Sequence, residues 1–410
     1  MFHCVPPGEY FGTIGDMGFH FTIEHTDAHS KARVGVIETP HGTIKTPAFV
    51  PVGTQASVKS LTPQELDTLG VQLFFVNTYH TYLRPGLPII NKFGGLHHFM
   101  DWPGPIITDS GGFQVFSLAR PKYAPADRSD DQPSLVRINE DGVEFRSHWD
   151  GSKHTFTSES SMQWQWELGS DIHIAFDDCT SYPATHQTAK KSMERTHRWL
   201  IRSIAAHKTL WEAYKKRDMP YQALYGVIQG SVYEDLRVES TRVVTGADTD
   251  GIAIGGVSVG ESKKEMKDVL SWVTPGLPEH KPRHLLGVGE IDDVFVLVEH
   301  GMDTFDCVQP TRLARMGKVY LKDEPEHMFD ITKKTYEEDV RPIDPACACY
   351  ACTHFSRAYI HHLFRVRELL AYRLTTIHNI HFMNTLVSAI RESICTDSFL
   401  EMKKSWGYNR

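Results

Sequence analysis

Eight times between Pro47 and Asp306 a short apolar run stops abruptly at a polar side chain or at glycine. The runs cover residues 47–53, 71–76 before Asn77, 105–108 before Asp109, 172–176 before Asp177, 223–228 before Gln229, 251–254 before Gly255-Gly256, 284–286 before Gly287, and 304–305 before Asp306. Runs this short and this continuously apolar read as strands buried on both faces, the habit of parallel sheets covered by helices. Helical stretches lie between several of them, including 188–216 and 262–272, and Thr62-Pro63-Gln64-Glu65 carries the chemistry of a helix start. Strands and helices in this alternation predict an α/β fold, and eight of them favour a (β/α)8 TIM barrel over a doubly wound sheet. Such barrels keep their chemistry at the C-terminal strand ends, where Asp109, Asp177, Gln229 and Asp306 fall.

The last of these runs is the most pointed. Thr304-Phe305-Asp306-Cys307-Val308-Gln309-Pro310-Thr311-Arg312 reads as a buried strand stopped at a carboxylate, with Pro310 unable to donate to a further ladder. An acid at the tip of an apolar strand is costly to bury unless it is bonded or used. Taken alone, Asp306 reads as a structural acid satisfying loop amides. Recurrence of the pattern around the predicted barrel shifts the reading towards function.

A chain of 410 residues with 40% hydrophobic content can bury a sizeable core, as one large domain with attachments or as two. The net charge of −8 argues against a protein that coats nucleic acid with its whole surface, so any such partner must meet a local basic patch. No apolar run approaches the roughly 18 residues of a membrane span. No basic segment followed by an apolar one opens the chain, so no secretory signal or membrane association is expected. Residues 1–20 read as a lead-in, 19–52 as a small antiparallel hairpin, and 124–144 as a polar excursion ending in the hairpin-like 140–145. The expected partition is 1–20 extension, 21–320 catalytic barrel with its hairpin, 321–395 zinc-binding subdomain and closing helices, and 396–410 tail.

Of seven cysteines, three crowd into Cys347-Ala348-Cys349-Tyr350-Ala351-Cys352. That C-x-C-x2-C spacing is metal-ligand spacing and not a disulfide framework, and it fits a reduced, cytoplasmic setting. Soft thiolates favour zinc. The fourth ligand should be a histidine on the helix that follows, with His354, His361, His362, His378 and His381 as candidates. Three thiolates and an imidazole would close the coordination shell, making the Zn2+ structural.

Thr54-Gln55-Ala56-Ser57-Val58-Lys59, Thr108-Asp109-Ser110-Gly111-Gly112-Phe113-Gln114, Val227-Ile228-Gln229-Gly230, Ile254-Gly255-Gly256, Phe305-Asp306-Cys307-Val308, Pro310-Thr311-Arg312 and the cysteine cluster resemble the tRNA-guanine transglycosylases, from about residue 21 to 382. The resemblance implies a zinc-bearing barrel, homodimeric and cytoplasmic, that swaps a guanine in a tRNA anticodon loop for a 7-deazaguanine base. It implies Asp306 as nucleophile and Asp109 as general acid/base. Asp177, Gln229, Gly256, Ser110, Phe113 and Leu286 would hold the base, and Arg312, Arg315 and Lys318 would meet RNA. His378 becomes the fourth ligand beside Cys347, Cys349 and Cys352. Cys179 and the 257–261 segment resemble the bacterial branch, which inserts the aminomethyl precursor of queuosine at the wobble position of GUN anticodons (tRNAs for aspartate, asparagine, histidine and tyrosine) by retaining double displacement. Queuine as the incoming base is the alternative.

Glu290, Met316 and Gln309 depart from that pattern, where Lys, Asn and Leu are usual. A retaining glycoside hydrolase on a TIM barrel would use the same displacement chemistry. It would want sugar-stacking aromatics and has no need of a Cys3His cluster. A non-catalytic RNA-binding subunit of the same family would be expected to lack the nucleophile, and Asp306 is present.

Overall fold

The eight apolar runs become eight parallel strands hydrogen-bonded into a closed ring. The computed structural model describes residues 18–118 and 136–408; the lead-in through residue 17, residues 119–135 with the first part of the excursion, and residues 409–410 lie outside the described residues. An antiparallel sheet of β1 (His20–Thr26), β2 (Arg33–Thr39) and β3 (Gly42–Thr46) comes first, one strand more than a hairpin. The ring opens with β4 (Ala48–Gly53), β5 (Phe74–Val76) and β6 (Ile106–Thr108). A second antiparallel sheet of β7 (Val136–Ile138), β8 (Val143–Arg146) and β9 (Lys153–Phe156) is inserted there. The ring resumes with β10 (Ile172–Ile174), β11 (Ala223–Ile228), β12 (Gly251–Ile254), β13 (Arg283–Leu285) and β14 (Thr304–Cys307), and β14 closes on β4. The ribbon β15 (Lys318–Tyr320) and β16 (Met328–Asp330) follows.

The expected fold class is the observed one, with small local differences. Only Phe74–Val76 of the 71–76 run pairs, and Pro310 is more than a strand stop. It sits in the first turn of the helix Gln309–Arg315, where its missing N–H would have had no partner anyway.

Val50, Val52, Phe75, Ile107, Ile172, Ile174, Tyr225, Val227 and Ala253 fill the barrel, and Ile37 and Ile44 of the β2–β3 hairpin join that cluster. The hairpin closes the N-terminal end. There, three acids, Asp171 and Asp303 buried and Asp250 half-buried, precede strands and serve as staples. Asp171 accepts from the Ile106 amide (2.8 Å), His41 Nδ1 (2.8 Å) and His97 Nε2 (3.2 Å). Asp250 accepts from the Leu224 amide (2.7 Å) and the Tyr221 hydroxyl (2.8 Å). Asp303 takes the Arg33 guanidinium at 2.9 and 2.5 Å and the Arg283 amide at 2.7 Å. Burial pushes Asp171 up, but the hydrogen bonds from His41 and His97 outweigh it and hold the group below the usual carboxylate range.

The helix Leu369–Cys395 ties the C-terminal piece to the barrel. Its Asn379 amide donates to the carbonyls of Pro310 (3.0 Å) and Lys318 (3.1 Å) and accepts from the Tyr320 amide (3.1 Å). Further along, Asn384 donates to Leu69 O and Arg391 to Pro47 O. Among the described residues no helix is long and apolar enough to cross a membrane.

Candidate active site and metal centre

A cavity of about 480 Å³ opens at the C-terminal mouth of the barrel, and Asp109, Asp177 and Asp306 all line it. Each is 8% exposed, buried enough to feel a low dielectric yet reachable from the cavity. Ser110, Phe113, Gln229, Gly256 and Leu286 line the same space, so both expected catalytic acids and all six expected base contacts come together. Asp109, Asp177, Gln229 and Gly256 follow the neighbouring strands β6, β10, β11 and β12, while Asp306 faces them from β14.

Asp109 ends β6 against the first turn of the helix Thr78–Leu83. Its carboxylate accepts from Asn77 Nδ2 (2.6 Å), the Thr78 amide (2.8 Å) and the Gly111 amide (3.1 Å). Burial raises its pKa and these donors lower it; burial wins, leaving the group at about 6. A carboxyl titrating there can both give and take a proton near neutrality, which an ordinary aspartate does poorly.

Asp177 is raised to about 6 by the same cause, with the donors Gln229 Nε2 (2.8 Å) and Ser110 Oγ (3.2 Å) acting against it and the charge of Asp178 adding to the rise. Asp178 itself turns to Arg195 at 2.6 Å. Gln229 rests on the Gly255–Gly256 turn so closely that a Cβ on Gly256, whose φ is +63°, would stand 2.5 Å from Gln229 Oε1. The turn is held from beneath by Arg237, which is fully buried. Its guanidinium donates to the carbonyls of Ser231 (2.7 Å), Ile228 (3.0 Å), Gly255 (2.8 Å) and Gly256 (2.8 Å). Because a trans peptide sets its C=O and N–H on opposite sides, drawing the Gly255 carbonyl to Arg237 turns the Gly256 amide the other way. Desolvation pulls Arg237 down to about 10, still protonated at neutral pH.

Asp306 accepts on one oxygen from the Gly287 amide (2.9 Å) and from His284 Nε2 (3.1 Å). Neither His284 nor Arg237 stood out as a site residue in the sequence. Arg237 had a readable signal, since it shares a helical face with Ser240, Thr241 and Val244, all buried. His284 became visible only with the β13–β14 register. His80, which also lines the cavity, was missed too; burial first, then His148 and Lys59, lower its pKa to about 4.

Of the expected RNA contacts, Arg312 is exposed and lines the cavity mouth. Arg315 lies one turn on, half-buried, and Lys318 starts β15; neither lines the cavity. Glu290 is occupied by Lys263 Nζ (2.8 Å) and Gln309 Nε2 (2.5 Å), and Gln309 in turn accepts from the Tyr320 hydroxyl (3.1 Å). Two of the unusual residues are therefore partners. Met316 is exposed.

Cys347, Cys349, Cys352 and His378 place their ligand atoms within 4.8 Å of one another. His378 Nδ1 stands 3.7, 3.7 and 3.3 Å from the three sulfurs. A tetrahedral zinc with bonds of about 2.3 Å to sulfur and 2.0 Å to nitrogen needs S···N edges near 3.5 Å. The donor set therefore fits such an ion. His378 Nε2 donates to the Tyr320 carbonyl at 2.7 Å, which fixes the tautomer that turns a lone pair on Nδ1 towards the thiols. His378 lies on the long helix Leu369–Cys395 and not on the one that follows the cysteines directly. Among the other candidates, His354 and His361 bond to the carbonyls of Tyr350 and Ile331, His362 is exposed, and His381 reaches only Cys347, at 3.4 Å.

A family profile described as queuine tRNA-ribosyltransferase matches residues 27–410. Curated proteins carrying that name are similar over nearly their whole length. One from Desulforudis audaxviator is 47% identical over 390 residues, covering 95% of this chain and 98% of that protein. One from Thermoanaerobacter pseudethanolicus is 50% identical over 380 residues (93% and 94%), and one from Herpetosiphon aurantiacus 48% identical over 388 residues (95% and 92%).

Proposed function

The chain belongs to the queuine tRNA-ribosyltransferase family of pentosyltransferases, and from that premise we propose that it exchanges the wobble guanine of GUN anticodons, in tRNAs for aspartate, asparagine, histidine and tyrosine, for 7-aminomethyl-7-deazaguanine. The observation that carries this is the single cavity joining three carboxylates of different surroundings: Asp306 held by two N–H donors, and Asp109 and Asp177 lifted by burial.

In the proposed reaction an Asp306 oxygen bonds to ribose C1′ as the C1′–N9 bond breaks and its electron pair leaves with the base. Asp109, in its protonated form, supplies a proton to the departing guanine. The incoming base then gives a proton to Asp109 and bonds to C1′, while the C1′–O pair returns to Asp306. Two inversions at the one carbon give net retention. Asp177 accepts from N1–H and the 2-amino group, Gln229 and the Gly256 amide meet O6, and Ser110 supports Asp177. Phe113, 38% exposed on the cavity wall, stacks on the ring and Leu286 covers its other side. The nucleotide must first leave its stack, at a cost of a few kcal/mol that is smallest in a loop. Arg312, Arg315 and Lys318 meet the anticodon-loop backbone.

Cys347, Cys349, Cys352 and His378 would hold one Zn2+ per chain, which with four protein ligands has no open position and serves structure. The working unit is taken as a cytoplasmic homodimer, with residues 21–320 as catalytic barrel and 321–395 as zinc-binding and closing segment. Queuine is the second reading for the incoming base, favoured by the relatives' names. Glu261, which accepts from the Val259 amide at 2.7 Å beside the cavity, favours a cationic aminomethyl substituent.

Incubation with unmodified tRNA and guanine, the aminomethyl base or queuine, followed by mass analysis of the anticodon nucleoside, tests the proposal. Asp306→Ala should abolish labelled-guanine incorporation with the fold intact, and Asp109→Ala nearly so. Wild-type rates in the Asp306 variant would refute it.

A further inference from the structure

We infer that His284 is a positioning residue that gives the two oxygens of Asp306 different tasks, reserving Oδ2 for bonding to ribose and holding Oδ1 so that the covalent intermediate releases. The inference rests on the double-displacement reading above.

The arrangement follows from strand register. Parallel pairing of β13 with β14 sets His284 opposite Thr304. Residues two apart on a strand face the same side, so Thr304 and Asp306 both project towards the His284 ring. His284 is fully buried and its ring lies on that of Phe75, with centroids 5.9 Å apart and planes 24° from parallel. Nδ1 stands 2.8 Å from Thr304 Oγ1 and Nε2 3.1 Å from Asp306 Oδ1. An ionised carboxylate only accepts, so Nε2 must carry the hydrogen, and in the neutral ring Nδ1 accepts from the Thr304 hydroxyl. Thr304 thereby satisfies the Nδ1 lone pair that this tautomer leaves and helps hold the ring in place for Asp306.

The Gly287 amide donates to the same Oδ1 at 2.9 Å. Gly287 has φ +77°, and a Cβ there would stand 2.6 Å from Ser258 Oγ, so this N–H is delivered by a backbone that other residues would strain. Among the described residues Oδ1 thus receives two N–H donors and Oδ2 receives none.

An oxygen accepting two hydrogen bonds is the poorer nucleophile, so Oδ2 bonds to C1′ and Oδ1 becomes the carbonyl oxygen of the resulting ester. When the C1′–Oδ2 bond breaks, its electron pair returns to a carboxylate whose charge the two N–H groups already face. Donors preorganised towards developing negative charge lower that barrier. They also hold the free carboxylate at lower energy than the ester, which keeps the covalent species from accumulating.

The experiment separates the two half-reactions. Enzyme and unmodified tRNA are incubated without added base, the covalent protein–RNA adduct is quantified on a denaturing gel, and its loss is timed after a chase of excess guanine. His284→Phe should slow the chase by about 100-fold or more, the range found for removing one such donor. Its steady-state adduct should rise, and adduct formation should change much less. His284→Gln, whose side-chain amide can reach the position of Nε2, should restore release. Thr304→Val keeps the ring but removes the donor to Nδ1 that helps orient it, and should slow release in the same direction, giving the readout even if the Phe variant fails to fold. Release at the wild-type rate in both His284→Phe and Thr304→Val, or equal slowing of both half-reactions without rescue by Gln, would overturn the inference. A wild-type chain that forms no Asp306-dependent adduct would overturn the double-displacement reading and this inference together.

Discussion

Replacing Asp177 by Asn should make the protein more stable at alkaline pH while spoiling its hold on the base. Burial lifts the Asp177 carboxyl to about 6 from an ordinary 3.8. A folded-state pKa above the unfolded one contributes stability that is fully present below pH 3.8 and is lost as the pH rises through 6. With 1.36 kcal/mol per pH unit, ionising the buried group withdraws about 3 kcal/mol by pH 8. The amide of Asp177→Asn has no proton to lose, so the stability of the variant relative to wild type should grow by about that amount between pH 4 and pH 8. For a chain of this length that is roughly 3–4 °C in melting temperature. Thermal melts of both proteins across the pH range read the difference directly, and Asp109, common to both, cancels to first order. In the exchange assay at pH 7.5 the amide presents a donor where the base needs an acceptor, and the base KM should rise by about 100-fold or more. A stability difference independent of pH, or one that shrinks as the pH rises, would refute the assignment of burial as the dominant influence on Asp177.

Two more outcomes are expected. Arg237→Met leaves the carbonyls of Ile228, Ser231, Gly255 and Gly256 without their shared donor; about 3–5 kcal/mol of stability should be lost, read by chemical denaturation, with a higher base KM as the turn under Gln229 loosens. Metal analysis should find about one zinc per wild-type chain and much less in Cys349→Ser or His378→Ala, and chelation should expose the 344–378 segment to proteolysis.

Much of the site was legible because strand-end chemistry is written in one dimension. A run such as 105–108 must be buried on both sides, and the first side chain beyond it that needs water or a partner, Asp109, marks the barrel mouth. The same logic does not separate a working acid from a staple. Asp171, Asp250 and Asp303 also touch apolar strands, but they precede them, and at that end they are spent on Ile106, Leu224, Arg33 and Arg283. Direction along the strand, which the order of residues does contain, tells the two sets apart.

By itself the sequence determined the closed α/β ring, the end of it where Asp109, Asp177 and Asp306 gather, and the cysteine trio, since each depends on local hydropathy or on spacing along a few residues. Tertiary structure decided which histidine joins the cysteines, which guanidinium supports the Gly255–Gly256 turn, and which imidazole meets Asp306. Those partners lie 26 or more residues apart for Cys352 and His378 and 22 for His284 and Asp306. Their meeting depends on helix phase and strand register, which are settled only when distant strands such as β14 and β4 close the ring and every buried polar group must find a partner at once.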